Sequence, residues 1–410
     1  SMKIFFLGIS GTFMGNLAQM AKYLGHEVSG VDDKVYPPMS TELRRSEIDF
    51  SQGYISKNYH SADLYVIGNT ISRGNEILEK ILQNEHKIIS GPDWLYKNIL
   101  KNKKVIAISG THGKTSVTSM IAHTLIDNKM DPSYLVAGIP KGFNKSWNLT
   151  DSDYFVIEAD EYDTAYFDKK PKFFHYKPEI LIINNIEFDH ADIYKNVEQI
   201  EENFAELIQE LPKESKIYIN SIGIRESFLD KIRSVMNIKA QIVLFDAGTK
   251  NIYEINKNIT TIGLKDIISE SKIRKSLENY KGVKRRYDII YDSEHFRVID
   301  DFAHHPTSIT ETLKIAKEEN EDVILIVELG SNSMRNGVHD DALIEIFKEN
   351  FSYVLGASEE QEKKFGIYAE HLNKQTIENL LQKNNSKKTI LMCGNKNFEG
   401  FQTLILDSLN

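Results

Sequence analysis

Val105-Ile106-Ala107-Ile108-Ser109-Gly110-Thr111-His112-Gly113-Lys114-Thr115-Ser116 sets the reading of everything around it. A short apolar run ends in two glycines, a lysine and three hydroxyls, and a helix-forming stretch continues to Ile126. Strand, tight loop, helix is the setting a phosphate loop requires. Glycines let backbone amides turn toward one point, and the first turn of a helix adds unpaired amides that favour an anion. In that setting Gly110, Thr111, His112, Gly113, Lys114, Thr115 and Ser116 cradle a nucleoside triphosphate. Lys114 reaches the outer phosphates, and the Thr115 hydroxyl faces magnesium. The match is imperfect, because Ile108 stands where the usual pattern has its first glycine. A plain glycine turn ahead of a chance lysine is the competing explanation, but it leaves the coincidence of position, lysine and hydroxyls unaccounted for.

Two further strand ends carry matching chemistry. Glu158 follows the apolar run Tyr154–Ile157. A carboxylate at a strand's C-terminal end can face the phosphate loop of a neighbouring strand, and magnesium prefers hard oxygen ligands. Asn184-Asn185-Ile186-Glu187-Phe188-Asp189-His190 follows the apolar run Ile180–Ile183. Thr115, Glu158 and His190 are therefore the expected metal neighbours. A solvated acidic loop and a structural histidine are the plainer alternatives.

The surrounding chain has 410 residues, more than one ordinary core accommodates, which points to two or three domains. Hydrophobic residues at 41 % and charged residues at 27 % read as a soluble globular protein. No run of eighteen apolar residues suggests a membrane span, and the opening Lys3–Leu7 reads as a first strand rather than an export signal. A single cysteine, Cys393, excludes an internal disulfide and suits the cytoplasm. The net charge of -9 argues against a protein that coats nucleic acid.

Strand and helix signals alternate along the whole length, which predicts an α/β protein with parallel sheets. Residues 1–99 form one expected domain, 100–282 a larger central one after the lysine-rich junction Lys101–Lys104, and 283–410 a third. In the first, Gly8-Ile9-Ser10-Gly11-Thr12-Phe13-Met14-Gly15 lies between strand and helix, and Asp32 ends the next strand. This is a second anion-site candidate, completed by Asn69, Thr70 and Arg73. Such glycine patterns are weak on their own and would also fit a dinucleotide-dependent dehydrogenase. In the third domain Arg286 precedes a strand, and Asp301 and His305 lie in Asp300-Asp301-Phe302-Ala303-His304-His305-Pro306, where the proline suits a helix start. A zinc site is the alternative, disfavoured by the lack of a cysteine set or a His-Glu-x-x-His frame.

Together these motifs resemble the Mur ligase family: Gly110–Thr115, Glu158 in EADE, His190 in NNIEFDH, Arg286, and Asp301 with His305 in DDFAHHP. The resemblance implies a three-domain architecture: a Rossmann-like N-terminal domain, a P-loop ATPase central domain and a Rossmann-like C-terminal domain. It also implies an ADP-forming, ATP- and Mg2+-dependent carboxylate–amine ligase of peptidoglycan metabolism, cytoplasmic and favoured as a monomer. Tyr36–Thr41, Gly91–Leu95, Glu161–Phe173 and Ser331–Met334 resemble the branch that joins UDP-N-acetylmuramate to L-alanyl-γ-D-glutamyl-meso-diaminopimelate, in recycling. A branch taking L-alanine shares most of the machinery. The resemblance puts Gly8, Ser10, Gly11, Thr12, Phe13, Met14, Gly15, Asp32, Asn69, Thr70, Arg73, Ser331 and Asn332 on the substrates. It puts Lys114, Glu158, His190, Arg286, Asp301 and His305 at the catalytic centre.

Two departures stand out. The family has a His-Asn segment with two spaced asparagines, which contacts the adenine; here the chain passes from Ile252–Ile255 to Ile259–Gly263 without it, several tens of residues short. Gly330 stands where an arginine is usual, with Arg335 beyond it. A homologue that binds the UDP-sugar but has lost catalysis is therefore the alternative to an active ligase.

Overall fold

The computed structural model describes residues 1–410 apart from 111–112, 161–162, 187–196, 223, 384 and 410. The first sheet comprises β1 (Lys3–Leu7), β2 (Glu27–Asp32), β3 (Asp49–Gln52), β4 (Leu64–Ile67) and β5 (Ile88–Ser90), with α1 (Thr12–Tyr23), α2 (Met39–Arg45), α3 (Glu76–Gln83) and α4 (Gly91–Asn98) between them. The spatial order is β3-β2-β1-β4-β5, all parallel. The order reverses between β1 and β4, and the crevice outside such a reversal is where open α/β sheets take ligands. β1 and β4 read as continuous apolar runs because helices cover both faces, leaving Phe5, Phe6, Leu7, Val66 and Ile67 fully buried.

The central region runs through β6 (Lys104–Ser109), α5 (Lys114–Asp127), β7 (Ser133–Leu135), β8 (Trp147–Asn148) and β9 (Tyr154–Glu158). It continues with β10 (Asp163–Ala165), β11 (Asp168–Pro171), α6 (Phe173–Tyr176), β12 (Ile180–Ile183), α7 (Val197–Glu210) and β13 (Lys216–Asn220). α8 (Glu226–Ser234), β14 (Gln241–Phe245), α9 (Ile252–Leu264) and α10 (Glu270–Glu278) complete it. Its sheet is ordered β14-β13-β12-β6-β9-β7-β8, parallel except for the β7–β8 pair, and β10–β11 is a separate hairpin. The phosphate-loop strand β6 thus sits between β9, which ends in Glu158, and β12, which leads to Asn184. Buried side chains of the first sheet and of one face of the central sheet form one continuous core.

The last region holds β15 (Asp288–Asp292), β16 (Phe296–Asp301), α11 (Pro306–Glu319), β17 (Val323–Glu328), α12 (Asn332–Arg335) and α13 (Asp340–Glu349). β18 (Ser352–Leu355), α14 (Glu359–Phe365), β19 (Ala369–His371), α15 (Lys374–Leu380), β20 (Lys388–Cys393) and α16 (Phe401–Leu409) follow. The order is β15-β16-β20-β17-β18-β19, with β15 antiparallel at the edge. Two clusters of its own, one on each face, fill this region. No helix among the described residues is long and apolar enough to cross a membrane.

Elements that periodicity misses are the short or partly polar ones. β3 reads Asp-Phe-Ser-Gln, and β10–β11 pairs Asp-Thr-Ala with Asp-Lys-Lys-Pro, with little apolar signal. Such strands are held by their neighbours' backbone groups rather than by their own composition.

Candidate active site

Helix α5 starts at Lys114, with Gly113 as its N-cap in the left-handed region at φ 79°. A side chain at Gly113 would press on Asn256 Oδ1 at 3.0 Å, and one at Gly110, φ 131°, would press on Asn184 and Asn185. Both glycines are needed for conformation and for close approach. Lys114 Nζ donates to the Gly110 carbonyl at 2.7 Å, which folds the lysine back over its own loop. Thr111 and His112 lie outside the described residues, as does His190.

Thr115 Oγ1 donates to Glu158 Oε1 at 2.7 Å, and the Ala137 amide donates to Glu158 Oε2. Burial pushes the Glu158 carboxyl above the usual carboxylate range; its hydrogen bonds to Thr115 and Ala137 and the charges of Arg286 and Lys114 pull the other way. Arg286 comes from the third region, and its Nη2 donates to Thr115 Oγ1 at 3.2 Å while its guanidinium lies over Phe302, 4.9 Å from the ring centre. The residues on either side, Arg285 at φ 61° and Tyr287 at φ 49°, are both left-handed, a conformation L side chains seldom adopt. That double kink turns Arg286 back into the cleft.

Asp301 and His305 also reach this cleft. Asp301 Oδ1 accepts from the Tyr287 amide at 2.6 Å, and Oδ2 accepts from the Ala303 amide at 2.9 Å and Thr312 Oγ1 at 3.1 Å. It therefore fastens the linker kink to the start of α11. His305 is the N-cap of α11, with its ring 4.5 Å from that of His304 and 5.4 Å from that of His339.

These groups line a cavity of about 780 Å³ at the meeting of all three regions, together with Thr12, Phe13, Asn251, Tyr253, Asn256 and Tyr280. Sequence reading passed over Asn251, Tyr253 and Asn256. β14 leads through residues 246–251 straight into α9, which Asn251 caps by accepting from the Glu254 amide at 2.9 Å. Among the described residues no strand lies between β14 and this helix, as the missing segment implies, yet Asn256 still packs beside Gly113 of the phosphate loop.

A second cavity, of about 370 Å³, opens at the C-terminal ends of β1, β4 and β5. Gly8, Ser10, Gly11, Thr12, Phe13, Met14, Asp32, Asn69 and Thr70 line it as expected, joined by Gly68, Gly91, Pro92, Thr164 and Lys172. Asp32 Oδ2 accepts from the Ser10 amide at 2.9 Å and Ser10 Oγ at 2.5 Å, and Oδ1 accepts from the Tyr54 hydroxyl at 2.9 Å. Asp32 thus braces the glycine loop. Burial and this carboxylate together hold the Tyr54 phenol far above its ordinary range.

Four expected residues stand elsewhere. Gly15 lies inside α1, where a side chain would collide with Met39 Sδ, so its smallness serves helix packing. Arg73 is exposed and ion-paired with Glu79 at 3.0 Å, outside the lining of either cavity. Ser331 caps the short α12 by accepting from the Met334 amide at 3.3 Å, and Asn332 is its first residue; neither lines the two cavities. Next to them, a side chain at Gly330 would run into Asn395, so the tight approach of the β17 and β20 ends excludes an arginine there. Arg335 instead donates to the Leu329 carbonyl at 3.1 Å.

Among the described residues no group of three or more His, Cys, Asp or Glu side chains could hold a metal alone. A buried carboxylate beside a hydroxyl is still a hard-oxygen donor pair of the kind magnesium accepts when phosphate and water complete its shell.

Comparison with known proteins fits this geometry. Residues 108–275 match the Mur ligase middle domain, and residues 3–103 match the Mur ligase family catalytic domain. A UDP-N-acetylmuramate--L-alanyl-gamma-D-glutamyl-meso-2,6-diaminoheptandioate ligase of Haemophilus influenzae is 32 % identical, over 99 % of this chain and 99 % of its own. The Escherichia coli protein of the same name is 35 % identical over 83 % of this chain and 82 % of its own. The crystal structure of a murein peptide ligase from Psychrobacter arcticus superposes with a TM-score of 0.75 at 29 % identity, covering 100 % of this chain and 99 % of that one. With two cavities converging on a phosphate loop and relatives matched over nearly their full length, this chain belongs to the Mur ligase family of ATP-dependent ligases.

Proposed function

We propose that the chain joins the carboxyl of UDP-N-acetylmuramate to the free amine of L-alanyl-γ-D-glutamyl-meso-diaminopimelate, converting ATP to ADP and phosphate, as a cytoplasmic step of cell-wall peptide recycling. One observation carries the reading: the two cavities share Thr12, Phe13 and Lys172, so a molecule held at the β1/β4 crevice can extend its far end to Lys114 and Glu158. The printed names of the full-length relatives supply the substrates.

In this reading the uridine diphosphate lies along Gly8–Met14, and the sugar's carboxyl points through the shared opening. The triphosphate lies on Gly110–Ser116, with Lys114 and the α5 amides offsetting its charge. The adenine rests against α9, beside Asn251 and Tyr253. Thr115 and Glu158, with His190, would hold a magnesium ion, which would supply charge neutralisation at the outer phosphates. A carboxylate oxygen of the substrate attacks the γ-phosphorus, and the bond to the β–γ bridging oxygen breaks to release ADP. The peptide amine then attacks the acyl carbon, phosphate leaves, and the amine's proton passes to solvent. Arg286 stabilises charge on the transferring phosphoryl group. Asp301 and His305 position the α11 end of the cleft, so that closure excludes water from the acyl phosphate. Domain boundaries near 99 and 282 follow from this division of labour.

Phosphate release with UDP-N-acetylmuramate and ATP should require an amine, and the tripeptide should serve far better than L-alanine. Turnover with L-alanine alone would move the chain to the L-alanine branch. UDP-sugar binding without any ADP would leave it as a non-catalytic binder.

A further inference from the structure

Lys172 is not among the motifs that mark the nucleotide loops, yet it lies where the two cavities meet. It follows Pro171 at the end of the β10–β11 hairpin and is the N-cap residue of α6. Its side chain is only 10 % exposed. The ammonium lies 4.2 Å from the centre of the Phe13 ring and 3.5 Å from Asp160 Oδ2. Phe13 belongs to the first region's glycine loop, and Asp160 stands two residues beyond Glu158, so this one cation touches both halves of the passage. It lines the larger cavity and the smaller one alike.

Holding a lysine in so enclosed a place is costly unless the charge is used. An ammonium has three donors. The Phe13 face takes the charge without accepting a proton, and Asp160 at 3.5 Å is a loose partner. We propose that the Lys172 ammonium binds the carboxylate of the UDP-sugar and aims it from the smaller cavity at the β1/β4 crevice toward the phosphate loop. Lys172 thereby selects a nucleotide sugar that carries an acid over the same sugar without one. The inference rests on the proposed function and names the group that sets its substrate choice. Phe13 is the floor that fixes the lysine, and Asp160 keeps the ammonium in place before substrate arrives.

Calorimetric titration of the full chain with UDP-N-acetylmuramate and with UDP-N-acetylglucosamine, which lacks the carboxyl arm, tests it. The unaltered protein should prefer the acid. Lys172→Met should lose about 10- to 100-fold in affinity for the acid, as expected for one charge-assisted hydrogen bond, and leave the neutral sugar unchanged. Lys172→Arg should keep most of the preference, which separates loss of charge from loss of fold. A Lys172→Met protein that retains the preference overturns the inference and leaves the proposed function standing. So does one that loses both sugars equally while Lys172→Arg binds normally, since that would make the lysine a prop for the passage. Absence of any preference in the unaltered protein would overturn the proposed function itself.

Discussion

Glu158 is carried at a cost to folding. Its side chain is half-buried and its pKa raised, chiefly by desolvation, so the folded chain holds a proton there at pH values where the unfolded chain has released it. With the folded pKa above the unfolded one, this group costs nothing below the unfolded carboxylate range. The penalty grows as pH rises through the two values and is complete above the folded one. Glu158→Gln keeps an oxygen for the Ala137 amide and removes the charge. Its thermal midpoint should therefore exceed that of the unaltered protein at pH 8, with the gap closing toward pH 4, while magnesium-dependent ADP formation disappears. A gap that widened on acidification would contradict the assignment of desolvation as the dominant cause. Lys114 offers the complementary case. Lys114→Ala should lower kcat by about 10²- to 10³-fold, the usual consequence of removing one pre-aimed donor from developing charge. UDP-sugar affinity should stay unchanged, because the smaller cavity at the β1/β4 crevice does not include this lysine. Steady-state phosphate release beside calorimetric titration separates the two effects.

Among the elements, α9 changes most between sequence and structure. In sequence, Ile252–Ile255 passes to Ile259–Gly263 without the family's adenine segment, and nothing there signals a ligand. Only the register of the helix over the phosphate loop, with Asn256 beside Gly113, reveals that its first turn faces the cleft. Tyr253 lies in that turn, 41 % exposed. If the adenine stacks there, Tyr253→Ala should raise KM for ATP by roughly 5- to 100-fold, the range of one base–aromatic contact, without altering UDP-sugar binding. Unchanged KM would place the base elsewhere. The phosphate loop and the β1 glycine loop were legible because strand, glycine and helix follow one another locally. Gly15 and Arg73 misled for a physical reason: a glycine can be small for a neighbouring helix, and an arginine can be satisfied by a glutamate six residues on. Lys172 and Thr164 lie in the Glu161–Phe173 stretch that carries the resemblance, but sequence alone gives them no site role, because a hairpin from the central region, with hardly any apolar signal of its own, carries them to the first sheet's crevice. Such placement is tertiary, and no window of sequence contains it.

At the scale of the whole molecule, the three regions are joined unequally. The first and central ones share a continuous apolar core, reinforced by the hydrogen bonds from Asn16 to Ser146 at 2.9 Å and from Trp147 to Gln19 at 3.1 Å. The C-terminal region keeps its own two clusters. It meets the rest through polar and backbone contacts: the Lys284 amide to the Ile139 carbonyl at 3.0 Å, the Lys141–Asp288 ion pair at 2.6 Å, and Arg286 to Thr115. Apolar burial is what makes two regions unfold as one, whereas polar contacts of this kind exchange readily for water. Scanning calorimetry of the free chain should therefore resolve two transitions, one for the first two regions together and one for the C-terminal region. A non-hydrolysable ATP analogue with UDP-sugar fills the cleft that all three regions line, and should draw the transitions together by binding only the assembled form. Arg286→Ala should leave the two transitions of the free chain in place and weaken their convergence with ligand, since Arg286 reaches from the C-terminal region to Thr115 at the start of α5. A single transition in the free chain, identical by calorimetry and by circular dichroism, would show that the polar contacts couple the regions as firmly as the shared core does.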